Sequence, residues 1–372
     1  MVLLPLYTRV SGFNTERVSK DFFMCISLVA IIALLPKPKR DNHFLVISLC
    51  VAVFLATLAN QWLPASSAVQ CQYIIISCSI LFVLAFSEKF NKSSVNLIIN
   101  GIAIACIVQS SIGILQEYNI RPYHEFMLWL NLDNPTMKKI AMAPAIYPLG
   151  ILGTIDNPNL FGAFVSISST ALWRKGWCWF LPVALIAVGM SKSELAMATA
   201  LFVPIAMLNW SFVSKYKYWL SALLIGSYLL FIAFDPFGVE NSRWGILKTV
   251  ASQLTTGGFA LGMGPGWLYD QGFPSALFKL GLSTPEVQKL GATSFIRQVH
   301  FEQAEAIVLW GIPLALLSIF LWIKAIPKEY SVFGLILVVV FFNSLGNFTL
   351  HYPPTAIMFL ISLAICLPRR FA

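Results

Sequence analysis

Long apolar blocks alternate with short polar connections along the chain, and most of the blocks are near the length of a membrane-spanning helix. A hydrocarbon core about 30 Å thick needs roughly 20 apolar residues at about 1.5 Å rise per residue. The blocks therefore predict eleven spanning helices, of which the sixth is short. Their approximate bounds are 21–36, 43–62, 69–86, 95–115, 158–173, 177–190, 195–211, 218–234, 304–323, 330–349 and 353–368.

Composition supports the same fold class, because 58% of the 372 residues are apolar and only 11% are charged. We interpret the chain as an all-α, polytopic transmembrane helical bundle that forms a single integral membrane domain over residues 1–372. Two long polar segments interrupt the pattern, at about 116–157 and 235–303. The second lies between the eighth and ninth predicted spans, and we expect it to fold as a lid.

Basic residues fall in every second short connection, and this distribution predicts the orientation of the chain. By the positive-inside rule these connections face the cytoplasm, so the N-terminus and both long segments face the outside. Arg9, Arg17 and Lys20 would then also lie outside, and a twelfth helix ahead of the first predicted span would correct their position. The six basic connections contain Lys37, Lys39 and Arg40; Lys89 and Lys92; Arg174 and Lys175; Lys215 and Lys217; Lys324 and Lys328; and Arg369 and Arg370.

The formal net charge of +9 does not indicate a nucleic-acid partner, because most of the basic residues belong to these connections. The seven cysteines lie within or beside predicted spans and form no CxxC pair. That pattern is typical of small core residues and predicts no metal site and no disulfide. No cofactor is expected.

Segment 235–303 contains the ionisable residues that we consider candidates for chemistry: Arg243, Arg297 and His300. A guanidinium group binds phosphate oxygens in a bidentate manner and stays protonated. An imidazole, with a reference pKa of about 6.5, can accept a proton from a hydroxyl group near neutral pH. If a helix extends across 297–300, the arginine and the histidine share one face of it.

Several short motifs accompany these residues in a fixed order, and together they resemble the O-antigen ligase family of bacterial membrane glycosyltransferases. The resemblance covers about residues 150–325, and each motif is weak when taken alone. The motifs are Gly153-Thr-Ile-Asp-Asn-Pro-Asn159, Ser191-Lys-Ser193, Ser242-Arg-Trp244, Gly262-Met-Gly-Pro-Gly266, and His300 ahead of Gly311-Ile-Pro313.

The resemblance implies transfer of a glycan from undecaprenyl diphosphate to an acceptor hydroxyl, such as one on the lipid A core of lipopolysaccharide. Transfer would take place at the periplasmic face of the bacterial inner membrane, without a metal or a nucleotide. Arg243, Arg297 and Lys192 would bind the diphosphate of the donor, and His300 would lie near the acceptor. Where the family commonly has an arginine, this chain has Lys192, and Phe301 and Glu302 follow His300 in place of an asparagine.

Each candidate residue also has a purely structural interpretation. Arg243 can anchor the chain at the level of the headgroups, Arg297 can be structural, and Glu302 can hold His300 in a local hydrogen-bond network. Glycines such as Gly264 and Gly266 permit tight turns. Asn157 and Asn159 are suited to cap the fifth predicted helix.

Three alternative functions use a related substrate. An O-antigen polymerase takes the same donor but extends another lipid-linked chain, and a protein O-oligosaccharyl ligase attaches the glycan to a protein. A transporter for the lipid-linked glycan is the non-enzymatic alternative. Transporters tend to carry ionisable residues at the membrane midplane. The predicted spans contain almost none, which favours an enzyme that acts at the membrane surface.

Overall fold

A computed structural model describes residues 92–118, 120, 151, 153, 155, 157–174, 176–234, 262, 301–347 and 349–366. These residues form nine α-helices and three short 3-10 helices, with no strand among them, so the helical prediction is confirmed for this part of the chain. The α-helices are α1 (Lys92–Glu117), α2 (Pro158–Ser168), α3 (Leu181–Met190), α4 (Glu194–Leu208), α5 (Trp210–Lys215), α6 (Lys217–Phe234), α7 (Glu302–Ala325), α8 (Val332–Asn343) and α9 (Pro353–Cys366). The 3-10 helices are Ser169–Trp173, Cys178–Phe180 and Thr349–His351.

Two of the described helices are long and apolar enough to cross a membrane, over Val95–Glu117 and Glu302–Ala325. Shorter apolar helices cover Cys178–Met190, Glu194–Leu208, Val332–Asn343 and Pro354–Cys366. Large apolar side chains are exposed on α4 and α6, including Leu201, Leu208, Trp219 and Phe234. Contact with lipid would cover such a surface. The first three predicted spans lie outside the described residues.

Helix α8 forms the centre of the packed core. All but one of its residues are buried, and Leu335, Ile336, Leu337 and Val339 are fully or almost fully covered. A helix that is apolar on every side belongs inside a bundle. Ser331 begins it, because its hydroxyl oxygen accepts a hydrogen bond from the backbone N–H of Gly334 at 2.9 Å.

Basic residues of the described helices gather at one end of the bundle, which we call the basic end. The Arg174 guanidinium donates to Asn96 Oδ1 at 3.1 Å. This bond joins the end of the 3-10 helix Ser169–Trp173, which follows α2, to the start of α1. The buried Lys217 ammonium donates to the backbone oxygens of Lys324, at 3.1 Å, and of Ile326, at 2.8 Å. These contacts join the connection at Arg174 to the one before α1, and the connection at Lys217 to the one that follows α7.

The opposite end carries Asn157 and the turn Ser191–Ser193, and we call it the motif end. Lys192 is the only lysine or arginine that the described residues place there. The two ends of the described bundle therefore differ sharply in charge, as the alternation of basic connections predicts.

Two features of the helices differ from the prediction. The predicted span 330–349 ends at Asn343, because the polar residues from Asn343 to Asn347 form turns instead of continuing the helix. Helix α7 contains a break at Gly311, where φ is 80° and ψ is 166°. Pro313 follows the break and cannot donate a backbone hydrogen bond. Hydropathy alone predicts an unbroken helix in each of these two regions.

Candidate functional site

The turn between α3 and α4 presents Lys192 at the motif end. Lys192 has a φ of 55°, and no other non-glycine residue in the described part of the chain has a positive φ. Its neighbours Ser191 and Ser193 are buried, whereas Lys192 is exposed. The Ser191 hydroxyl donates to Val188 O at 2.6 Å and accepts from the Ser193 N–H at 3.3 Å. The two serines thus hold the backbone in a left-handed turn that an L-residue seldom adopts.

Helix α2 packs against this turn through Gly162. A Cβ atom at position 162 would lie 2.6 Å from Ser191 Oγ, 2.9 Å from Ala196 Cβ and 3.1 Å from Ser193 Cβ. Two of these distances are below the contact limit of real Cβ atoms, so the close approach requires a glycine.

The segment before α2 is fixed to the same end of the bundle. The Gln116 side chain donates from Nε2 to Gly153 O at 2.5 Å and accepts from the Gly153 N–H at 2.9 Å. Gly153 has a φ of +56°, and a Cβ there would lie 2.5 Å from Cε2 of Phe161. The N–H of Ile151 donates to Met190 O at 3.2 Å. These contacts place the segment that begins at Gly153 beside the Lys192 turn.

Asn157 is the N-cap of α2. Its Oδ1 accepts from the backbone N–H groups of Asn159, at 2.9 Å, and Leu160, at 3.2 Å. The side chain of Asn159 is exposed and does not take part in the cap. The capping prediction is therefore right for Asn157 and wrong for Asn159, because one side chain satisfies both of these N–H groups.

A buried group of polar side chains lies where α7 begins and α8 ends, and we call it the polar cluster: Glu302, Gln303, Asn343, Ser344 and Thr349. The Glu302 N–H donates to Ser344 O at 3.1 Å, and the Glu302 carboxylate accepts from the Leu350 N–H and from the Thr349 hydroxyl. The Gln303 amide donates to Ser344 Oγ at 2.6 Å. The start of α7 is thereby tied to the connection between α8 and α9.

The polar cluster also contacts α2. Asn343 Nδ2 donates to Ser166 Oγ at 3.2 Å, across 177 positions of the sequence. Ser166 and Gly162 are four residues apart on α2, so both lie on the same face of that helix. One face of α2 therefore contacts the Lys192 turn and, one turn of helix further on, the polar cluster.

A third motif segment contacts the break in α7. Gly262 is buried and has a φ of +74°, and a Cβ there would lie 2.6 Å from the N atom of Gly311. The first glycine of the Gly262–Gly266 motif thus touches the motif Gly311-Ile-Pro313. Gly311 lies nine residues after the start of α7. Gly262, which belongs to segment 235–303, therefore packs beside the middle of that helix and not at its first turn.

The remaining predicted site residues, Arg243, Arg297, His300, Gly264 and Gly266, lie outside the described residues. Sequence reasoning did not find Gln303, Asn343 or Asn347. The available signal was the Asn343-Ser-Leu-Gly-Asn347 stretch, which puts amide side chains inside a predicted span, where polar residues are costly and often functional.

No group of three or more His, Cys, Asp or Glu side chains is placed to hold a metal ion within the part of the chain that the structure describes. Comparisons of the chain with protein-family models, with curated proteins and with solved structures found no match.

Proposed function

We propose that the protein is a membrane glycosyltransferase that moves a glycan from undecaprenyl diphosphate to an acceptor hydroxyl, with the lipid A core as acceptor. Transfer takes place at the motif end, which faces the periplasm when the basic end faces the cytoplasm of a bacterial inner membrane. The observation that carries the proposal is the position of the described motif segments. The residues that flank the Gly153–Asn159 segment contact the Lys192 turn and its neighbour, through Ile151 to Met190 and through Gly162 to Ser191, and Gly262 contacts Gly311.

The proposed reaction breaks the bond between the anomeric carbon of the glycan and the diphosphate oxygen. The acceptor oxygen forms a new bond to that carbon, and its proton passes to His300. The diphosphate leaves with additional negative charge, which Arg243, Arg297 and Lys192 stabilise through charge-assisted hydrogen bonds. Cleavage of the bond between the anomeric carbon and the diphosphate supplies the driving force, so no nucleotide takes part.

Lys192 is the one proposed diphosphate-binding residue that the structure describes. Its ammonium is a compact point charge, whereas an arginine at this position would offer a planar fork. Lys192 is exposed, and the strained turn that carries it is held between two buried serines. It is also the one lysine or arginine of the described residues at the motif end, so an anionic headgroup there would meet this ammonium.

Transfer by the purified protein in detergent tests the proposal. The donor is a short glycan on undecaprenyl diphosphate, and the acceptor is the lipid A core, in the presence of EDTA and without nucleotide. We expect product on the core. A longer glycan on the lipid carrier would instead identify a polymerase. Absence of any glycosylated product with the core, with a lipid-linked chain or with a pilin-like protein acceptor would contradict the enzymatic function.

A further inference from the structure

Three buried amide side chains at the motif end carry a polar atom that has no hydrogen-bond partner in the described structure. The atoms are Gln303 Oε1, Asn343 Oδ1 and Asn347 Nδ2. The three residues are 4%, 0% and 4% exposed. Buried polar atoms are almost always paired, because leaving one unpaired costs stability. Gln303 donates to Ser344, and the Asn347 N–H donates to Asn343 O, so the three amides are neighbours. Unpaired atoms on three neighbouring side chains point to a bound group that forms hydrogen bonds.

The orientation of two of these amides follows from the bonds that they make. Asn343 Nδ2 donates to the backbone oxygen of Val339 at 3.2 Å, and a carbonyl can only accept, so Oδ1 is the atom without a partner. The Ser344 hydroxyl gives its single hydrogen to Phe341 O at 2.7 Å. The Ser344 oxygen must therefore accept from Gln303 Nε2, so Gln303 Oε1 is the atom without a partner.

The unpaired atoms define the chemistry of the ligand. Gln303 Oε1 and Asn343 Oδ1 need a hydrogen-bond donor, and Asn347 Nδ2, in the orientation that the structure gives its amide, needs an acceptor. A metal cation would pair only with the oxygens, and a phosphate only with the N–H groups. A hydroxyl group both donates and accepts, so it matches all three side chains.

The location connects the amides to the proposed diphosphate-binding turn. Asn343 is bonded to Ser166 on α2, and Gly162, four residues earlier on the same helix, contacts Ser191. Four residues of α-helix correspond to about 6 Å along the axis. In a lipid-linked glycan the first sugar is joined directly to the diphosphate, so its hydroxyl groups would lie at about this distance from the phosphates.

We propose that Gln303, Asn343 and Asn347 form a subsite that binds hydroxyl groups of the donor glycan. This proposal rests on the proposed function, because it takes Lys192 as a contact of the diphosphate. Water has the same hydrogen-bonding chemistry and is the other source of a hydroxyl, so the experiment must separate a bound sugar from bound water.

The test measures the dissociation constants of two ligands for the purified full-length protein. One ligand is bare undecaprenyl diphosphate, and the other is undecaprenyl diphosphate glycan extracted from the producing cells. We expect the wild-type protein to bind the glycan-bearing lipid about tenfold more tightly than the bare lipid, as expected of one or two well-placed hydrogen bonds. In the double variant Gln303→Met, Asn343→Leu, this preference should disappear while the affinity for the bare lipid stays unchanged.

Both substitutions should leave the fold intact. The Ser344 and Ser166 hydroxyls keep the hydrogen bonds that they donate to the backbone oxygens of Phe341 and Ala163. Exchanging a partly unpaired amide for an apolar side chain of similar shape is close to neutral for stability. A melting temperature near that of the wild type would verify this.

Asn100→Leu is the matched control, because it removes a part-buried amide whose Oδ1 accepts from Trp177 Nε1 at 3.2 Å, near the basic end. It should retain the tenfold preference. A double variant that still prefers the glycan-bearing lipid would overturn the subsite and assign the amides to water. Equal affinity of the wild type for both lipids would also overturn it, with the proposed function intact. If neither lipid bound to the wild type, both proposals would fail.

Discussion

Replacing Lys192 by glycine should stabilise the protein relative to the alanine variant and yet impair transfer. Lys192 is the only described non-glycine residue with a positive φ, at 55°. Glycine adopts this conformation without steric cost, whereas alanine retains the clash between Cβ and the backbone. Both variants lose the same side-chain contacts, so comparing them isolates the backbone contribution.

The magnitude follows from two opposing effects. A left-handed conformation costs an L-residue about 1–2 kcal/mol. Glycine gains conformational freedom in the unfolded chain, which removes about 0.4–1 kcal/mol of that advantage. We therefore expect Lys192→Gly to be more stable than Lys192→Ala by about 0.5–1 kcal/mol, measured by unfolding in mixed micelles.

Transfer activity should follow the charge and not the backbone. A hydrogen bond from a charged group contributes about 1.5–3 kcal/mol, so loss of the ammonium should lower the rate of transfer at least about tenfold in both variants. Lys192→Arg keeps the charge and adds a bidentate fork, and it should transfer at least as fast as the wild type.

Two results would refute this reasoning separately. If the alanine variant were as stable as the glycine variant, the turn would not be strained at position 192. If the glycine variant transferred glycan at the wild-type rate, Lys192 would not contact the diphosphate, and the strain would have no catalytic purpose. A stable but inactive glycine variant, rescued by arginine, is the expected outcome.

Three further predictions use other parts of the chain. Gly162→Ala should destabilise the protein by about 1–3 kcal/mol through overpacking, whereas Gly226→Ala, where a Cβ meets nothing within 4 Å, should be neutral or slightly stabilising; thermal unfolding measures both. In a variant that keeps only Cys178, which is exposed at the basic end, a membrane-impermeant maleimide should label the protein after lysis but not in intact spheroplasts. Arg243→Ala and His300→Ala should each lower transfer at least about tenfold, equivalent to about 1.4 kcal/mol of barrier, with unchanged melting temperature; normal transfer by both would remove them from the site.

Hydropathy predicted the positions of the helices well where basic residues bound an apolar block. The predicted span 218–234 corresponds to Lys217–Phe234, and the predicted span 177–190 to the 3-10 helix Cys178–Phe180 followed by Leu181–Met190. Aromatic and basic residues mark these boundaries in the sequence because they prefer the membrane surface. The short sixth span is short in the structure as well.

Hydropathy failed where a few polar or flexible residues lie within an apolar average. Asn343 ends α8 six residues before the predicted end of its span, and Gly311 interrupts α7 within a stretch that otherwise favours helix. In both cases the backbone geometry depends on tertiary contacts, with Ser166 on α2 and with Gly262, that no local window contains.

The candidate site shows the same division between local and long-range information. The cap at Asn157 is local, because an asparagine before a proline and an apolar run is a recognisable helix start. The pairing of Gln116 with Gly153 spans 37 residues, and the one of Asn343 with Ser166 spans 177.

Pairs this far apart leave no periodic signal, so only the order of the motifs hinted that their segments meet. The Lys192 turn, which Ser191 and Ser193 flank, is an example of such long-range packing. A left-handed lysine is tolerated only where the surrounding packing over-determines the turn, and here that packing comes from Gly162 on the neighbouring helix. The lysine at this position therefore carries a backbone strain that a glycine in the same turn would avoid. We infer that the charge is the reason for the turn.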